Sequence, residues 1–382
     1  MNFPATLGGR MLVAVMALIA LLLTEGCRSR ETVRFGIVVT DEAVVAAQLA
    51  AGEVNATGGI QGHPLELRVI AGGSSTRAGP SLAAAEELSR DETVIGVVGH
   101  SNSSASLSAA QIYNARQVVQ IAPTSSAPLL RQVGPYTFRL VPSDVHQARF
   151  LADQVASGPE APRVALFFVN DDYGHALHEE FLALLERADV PVVYDAPYIH
   201  EEPLPDPAAT ARRIAQERPE LLVWIGRSAQ LRQLLPELRL ASPGIRILAS
   251  DGIDEAMTYR NEGGILDGVR YVSLFDMDAP RTSLEVLRTR FRSASGVPLT
   301  AEAAFTYDAV LFLASAARSV GIRREEIRDY LAGVGTRHPP YEGVTGTIAF
   351  DAEGDPRPAY SLVEMTPAGP QVVAGQRAGE AD

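Results

Sequence analysis

Lysine is missing altogether: in a chain of 382 residues, all 33 of the Lys+Arg side chains are arginines. That excludes chemistry built on a lysine amine, including P-loop phosphate transfer, pyridoxal Schiff bases and kinase-type catalysis. Cysteine is nearly missing too. The single Cys27 rules out disulfide frameworks, Cys-rich zinc sites and iron–sulfur clusters within the chain. Positive charge is outnumbered by 46 acidic side chains, for a net charge of −13; this argues against nucleic acid, which needs clustered cations to displace counterions. Long hydrophobic runs are absent after the amino terminus. What is present, 46% hydrophobic and 21% charged residues, is enough to bury real cores and excludes a largely disordered chain. The length allows two or three compact units.

At the amino terminus Arg10 precedes an apolar run, Met11 to Leu23, followed by Thr24-Glu25-Gly26-Cys27. As a helix this run spans only about 20 Å, short of a bilayer core of roughly 30 Å. A positive charge, a short apolar stretch and a small residue before the break fit an export signal. A buried helix is the alternative, but the run has no amphipathic stripe. Cys27 directly after Gly26 resembles the lipobox of bacterial lipoproteins, departing from it at Thr24 and Glu25. The expectation is a signal peptide over 1–26, lipidation of Cys27 and a lipid-anchored linker over 27–32. Cleavage would remove Arg10 and Glu25 together and leave the charge at −13.

From Val33 onward, short and nearly continuous apolar runs alternate with stretches of helical period. Strands are expected at Val33–Thr40, Leu65–Ala71, Val94–Gly99, Val118–Ala122, Val164–Val169, Val192–Tyr194, Leu221–Ile225, Ile245–Ala249 and Val269–Ser273, as for strands buried on both faces. Leu177/Phe181/Leu184, Leu231/Leu234/Leu235/Leu238 and Phe305/Ala309/Phe312/Ala316 mark helix stripes. The pattern predicts α/β architecture with parallel sheets in two lobes. Toward the end it predicts helices over 301–319 and 323–334, then a hairpin of Gly346–Phe350 with Tyr360–Met365 turned at Glu353–Pro356. Residues 374–382 read as a flexible tail.

Ligands in open α/β sheets bind beyond the carboxyl ends of the strands, where helix amino termini present N–H groups. Five such ends carry polar residues: His100-Ser101-Asn102-Ser103-Ser104, Pro123-Thr124-Ser125-Ser126, Asn170-Asp171-Asp172-Tyr173-Gly174, Gly226-Arg227-Ser228 and Ser250-Asp251-Gly252. Each alone reads as a helix cap. Together they supply hydroxyls, N–H groups, an aromatic face and carboxylates, which suits an amino acid zwitterion better than a phosphate or sugar. Arg227 could pair with Asp251, meet an acidic ligand group or be solvated.

Three sharper motifs fall short. Gly99-His100-Ser101-Asn102-Ser103 resembles a nucleophile elbow with Ser101 as nucleophile, but the final glycine is Ser103. His175 and His178 share a helix face, yet Leu182 replaces the second histidine of H-E-x-x-H. Gly58-Gly59-Ile60-Gln61-Gly62 follows a helix rather than a strand and reads as a helix stop.

The stretch from Glu53 through Asn55, Gly58-Gly59-Ile60 and Gly62 to Leu67 resembles the leucine/isoleucine/valine-binding protein family, the type I substrate-binding proteins of ABC importers. The resemblance continues through Val97-Val98-Gly99-His100, Ile121-Ala122-Pro123, Asp172-Tyr173-Gly174 and Tyr307-Asp308-Ala309-Val310. It implies two Rossmann-like lobes joined by three crossovers that close on ligand, with one lobe from 33–141 and 276–338 and the other from 142–275 and 339–373. It implies that Ser103 and Ser126 hold a ligand carboxylate, assisted near Ser101 and Thr124. Tyr173 would pack over the ligand, and Asp251 would receive its ammonium. Ser228 or Ala229 falls where the family commonly has tyrosine. Thr40-Asp41-Glu42-Ala43 replaces the family's longer first loop, so the side-chain pocket differs. The resulting expectation is a non-enzymatic, monomeric, lipid-anchored binding protein outside the cytoplasm. It would need no cofactor or metal and would deliver an amino acid or similar small amide or carboxylate to an ABC permease. A ligand sensor of the same fold and a lipoprotein hydrolase are the alternatives.

Overall fold

The computed structural model describes residues 32–71, 77–156, 160–200, 202–351, 354–357 and 359–375; Cys27 and the expected export signal lie outside the described residues. Five strands, β1 (Val33–Val38), β2 (Leu65–Val69), β3 (Val94–Gly99), β4 (Val119–Ala122) and β5 (Thr137–Arg139), form a parallel sheet ordered β2-β1-β3-β4-β5. Five more, β6 (Val164–Val169), β7 (Val192–Tyr198), β8 (Leu221–Ile225), β9 (Arg246–Ala249) and β10 (Arg270–Ser273), form a second parallel sheet. Its central strands β6 and β8 are buried along their whole length, because helices cover parallel sheets and leave no face for polar side chains.

The first sheet is packed by the helices Asp41–Ala56 and Ala301–Val320, which lie against each other, and by the pair Ala78–Arg90 and Ser103–Ala115. Alternation along β1 divides these layers. Phe35 and Ile37 belong to the main core, whereas Val38 joins Leu88, Val97 and Tyr113 in a separate cluster. The helices Asp144–Ala156 and Asp172–Arg187 pack together in the second lobe, as do Pro207–Gln216 and Ser228–Ala241. The two-lobed α/β class expected from the alternating pattern is the class observed.

The carboxyl-terminal part departs from the expected hairpin. Strands β11 (Tyr341–Glu342) and β12 (Thr347–Ile348) pair with each other. The strand β13 (Ser361–Thr366) instead runs antiparallel between β10 and β14 (Gly369–Gly375) in the second sheet. Competing anchors pull the two halves apart. Asp308, on the helix beside the first sheet, accepts from the amides of Val344 and Thr345 at 2.9 Å and from Thr345 Oγ1 at 2.6 Å. The strand β13, with Leu362, Val363 and Met365 buried, completes the second core. Between them a local turn is present, with Phe350 bridging Pro356 and the Gly354 amide donating to the Asp351 carbonyl at 3.0 Å, but the chain then crosses to the other lobe instead of pairing back. Ala374 and Gly375, read from sequence as tail, lie within β14.

Chain passages near 140–143, 274–281 and 350–360 therefore link the sheets. The first and third are tied together by Arg139, only 2% exposed. Its Nε and Nη2 donate to the two carboxylate oxygens of Asp355 at 2.8 and 2.6 Å, and Nη1 donates to the carbonyls of Ser126 and Ala127 at 2.9 and 3.0 Å. Tyr360 adds a bond from Oη to the Ser143 carbonyl at 3.4 Å and a ring contact with Phe150 at 5.5 Å. Removing one partner of a buried ion pair leaves the other charge uncompensated. Arg139→Ala is accordingly expected to lower unfolding free energy by about 3–5 kcal/mol in chemical denaturation; a loss no larger than that of an exposed arginine would show that the bridge does not clamp the passages.

Candidate functional site

Polar residues follow the carboxyl ends of β1, β3, β6, β8 and β9, as the α/β rule requires. Several cap the next helix. Thr40 accepts from the Ala43 amide at 3.4 Å, Asn102 from Ala105 at 2.9 Å and Asp171 from Gly174 at 2.8 Å. The helix after β1 begins at Asp41, so the shortened first loop leaves Thr40 itself at the cleft. The lobes touch at the rim, where the Asp172 amide donates to Ser104 Oγ at 3.2 Å.

Inside the rim lies a cavity of about 100 Å³, lined among others by Thr40, Ser101, Thr124, Arg227, Asp251 and Glu302. A single water needs roughly 10–15 Å³ on the same scale, so a small metabolite fits. A larger cavity of about 380 Å³ lies elsewhere, among Tyr259, Arg288, Leu299 and Val372, away from the strand ends and the clustered charges. The smaller cavity is the candidate site.

Of the eight ligand-binding residues expected from sequence, Ser101, Thr124, Arg227 and Asp251 face this cavity. Ser103, Ser126, Tyr173 and Ser228 stand behind it, each no more than 4% exposed. Ser103 Oγ accepts from the Ala127 amide at 3.2 Å. Ser228 donates through its amide to Glu255 Oε1 at 2.9 Å and through its hydroxyl to the same oxygen. Tyr173 Oη donates to Asp251 Oδ1 at 2.5 Å and sits 2.8 Å from Ser250 Oγ. These residues hold the walls in place.

Asp251 takes a second donor on the same oxygen, Gln147 Nε2 at 2.9 Å, while its amide donates to Gln147 Oε1 at 3.0 Å. Among the described residues no hydrogen bond reaches Oδ2. Burial pushes this carboxyl up, against the bonds from Tyr173 and Gln147 and the charge of Arg227. The guanidinium of Arg227 stacks over the Tyr173 ring, 5.5 Å from its centre, and has no hydrogen-bonding or ion-pair partner among the described residues. Burial works against its charge, but Asp171, Tyr173, Glu255 and Asp251 together outweigh it and raise its pKa.

Backbone geometry fixes that arginine. Gly226 has φ +152°, and a Cβ there would lie 1.8 Å from Tyr198 Oη. The bare glycine lets this hydroxyl accept from the Arg227 amide at 2.8 Å, while Trp224 Nε1 donates to the Arg227 carbonyl at 3.1 Å. Tyr198 and Trp224 stack at 4.6 Å beneath the loop.

Sequence reasoning missed Glu302. It accepts from Ser101 Oγ, from Thr40 Oγ1 at 2.9 Å and from the Thr40 amide at 3.3 Å. Burial pushes its carboxyl up, opposed by those bonds and by Arg227. In sequence it looks like an acid in the first turn of a helix, favourable there for the dipole alone. Gln147 and Asp144 were missed because they are the polar members of the buried face of their helix, Asp144–Ala156, and polar residues read in sequence as a solvated face.

The other sharp motifs resolve into structure. His178 Nε2 meets Asp195 at 3.0 Å over a stacked Phe168, and His175 Nε2 meets Asn170 at 2.7 Å. No group of ligands able to hold a metal occurs among the described residues. His100 is buried against Tyr113, at 3.3 Å, and burial lowers its pKa to about 3. Ser101 has Glu302 as its partner rather than a histidine.

Two α/β lobes with a charged cleft at facing strand ends define a binding protein that encloses a small ligand. The chain belongs to the periplasmic binding protein family: the model of that family matches residues 36–370. It is 25% identical over 341 residues to Leu/Ile/Val-binding protein homolog 1 of Brucella abortus, covering 86% of this chain and 89% of that one. It is 25% identical over 315 residues to an amino acid binding protein of Pseudomonas aeruginosa, covering 81% of each. Among solved structures it resembles the leucine-binding protein LivK of Thermotoga maritima, with TM-score 0.80, 19% identity and coverage of 90% and 98%. It also resembles an R. palustris solute-binding protein in complex with benzoate, with TM-score 0.79, 15% identity and coverage of 92% and 98%. The family resemblance and fold read from sequence are thus established, and the family is one of binding proteins rather than enzymes.

Asp144, fully buried behind Asp251, offers a test of these electrostatics. Neither of its carboxylate oxygens makes a well-formed hydrogen bond. Burial, with the Asp251 charge adding to it, raises its pKa well above the usual range, while Ser126 and Arg139 pull the other way. A raised folded pKa means that stability is full below the unfolded value of about 3.9 and is lost as pH climbs toward the folded value. The stability of Asp144→Asn relative to the native chain should therefore rise with pH from 4 upward. Denaturation at a series of pH values would show a flat difference if Asp144 titrated normally.

Proposed function

We propose that this protein is the extracytoplasmic substrate-binding lipoprotein of an ABC importer, binding an amino acid or similar small amide or carboxylate by closure of its two lobes. The observation carrying this reading is one cavity faced by a guanidinium, Arg227, and by the Oδ2 of a half-buried carboxylate, Asp251, neither of which has a hydrogen-bonding partner among the described residues. A zwitterion satisfies both. The names of its relatives, as Leu/Ile/Val- and amino acid binding proteins, support the ligand class, and the family supports a location outside the cytoplasm. Delivery to permease subunits as a monomer and anchoring through Cys27 complete the reading.

Binding requires no covalent step. The open cleft admits the ligand, closure expels water, and charge-assisted bonds strengthen as the dielectric falls. Hydrogen bonds to charged groups contribute about 1.5–3 kcal/mol. Calorimetry with amino acids should consequently find Asp251→Ala weakened roughly 10- to 150-fold. Undiminished affinity for every amine-bearing ligand would remove Asp251 from the ammonium site. For the anchor, Cys27→Ser should move the exported protein from the membrane fraction to the soluble fraction, with loss of a lipid adduct by mass spectrometry. An unmodified soluble native protein would count against lipidation.

A further inference from the structure

The hydroxyls that a carboxylate ligand would need are already given to protein acceptors, most of them acids. Ser101 and Thr40 give their hydroxyls to Glu302. Ser228 gives both its donors to Glu255, and Asp254 takes Ser273 Oγ at 2.7 Å as well as Tyr259. Thr124 Oγ1 donates to the Ser101 carbonyl at 3.1 Å. Asp251, Asp254, Glu255 and Glu302 all line the cavity, against Arg227 as the lining arginine, and apolar side chains are limited to Leu274 and Ala301. Such a cavity has little to offer a branched aliphatic or aromatic side chain. It has one guanidinium for one carboxylate, and acids from both lobes for cations. Asp251 approaches from the second lobe after β9, and Glu302 from the helix packed on the first.

We propose that the cleft takes a small α-amino acid carrying a second cationic group, with its carboxylate on Arg227, its α-ammonium on Asp251 Oδ2 and its side-chain cation on Glu302. This rests on the amino acid reading of the same site and assigns Glu302 as the residue that sets specificity. The polarity differs from the one the family resemblance implied. The carboxylate goes to an arginine of the second lobe, and the serine hydroxyl of the first lobe orients an acid instead of touching the ligand. Burial of Glu302 favours the proposal, because a cation arriving there restores the solvation that the carboxylate has lost.

The test uses the whole mature chain and matched ligands in calorimetry: ornithine against norvaline, and 2,4-diaminobutyrate against 2-aminobutyrate, with leucine and glutamate as further arms. The dibasic member of at least one pair should bind roughly 10- to 150-fold more tightly than its neutral partner. Glu302→Gln should collapse that ratio toward one. Equal or tighter binding of the neutral partners, or best binding of leucine or glutamate, overturns the proposal while leaving the amino acid reading intact. A preference for the dibasic ligand that survives in Glu302→Gln overturns the role of Glu302. Failure of every amino acid to bind overturns both this proposal and the reading beneath it. The native-protein ligand pairs decide the charge preference even if the variant does not fold.

Discussion

The arrangement of the two lobes depends on a guanidinium buried where the chain passes between them. Arg139 ends the last strand of the first sheet and holds both oxygens of Asp355 on the third passage, as well as two carbonyls of the loop after β4. Four donors in a planar fork do here what no ammonium could, since only arginine offers paired parallel bonds to one carboxylate with donors left for a nearby backbone. The first and third passages are fixed to each other at this point. Strand ends that lie far apart in sequence thereby face one another across the same small volume.

What that volume contains follows from where its donors are spent. Buried carboxylates need hydrogen bonds or a cation, and the four acids lining this cleft draw on its hydroxyls and amides to meet that need. Hydroxyls that would face a ligand in a neutral site are turned toward protein acids instead. Arg227 is held between opposing demands, its charge disfavoured by burial and favoured by the acids around it. The outcome is a site whose residual needs are unequal, with more room for positive charge than for negative.

Much of the architecture can be read from local sequence, because buried parallel strands leave a plain mark. Val94–Gly99 and Leu221–Ile225 are apolar throughout and lie where the reading put them. The short edge strand Thr137–Arg139 is too brief for any period to reveal. The pairing of Ser361–Thr366 with β10 depends on a partner ninety residues away in the chain, which no turn signal encodes; the Gly354-Asp355-Pro356 signal marks only a local turn, closed by the bridge of Phe350 with Pro356. The site divides along the same line. Asp251 and Arg227 announce themselves by following apolar strands. Glu302 does not, since its meaning comes from Thr40 and Ser101, brought against it by the packing of the helices Asp41–Ala56 and Ala301–Val320.

The notch at Gly226 gives the cleft a control point that is not itself a ligand contact. The space denied to a methyl group there is filled by a tyrosine hydroxyl that grips the next amide. The arginine is thus mounted on an aromatic pedestal, Tyr198 over Trp224, rather than on a loop free to drift. Any side chain at this position would tilt the pedestal and swing the positive pole of the cavity, retuning which ligands fit without altering a single lining residue. Selectivity in this protein can therefore drift through its foundations, leaving the visible surface of the pocket unchanged.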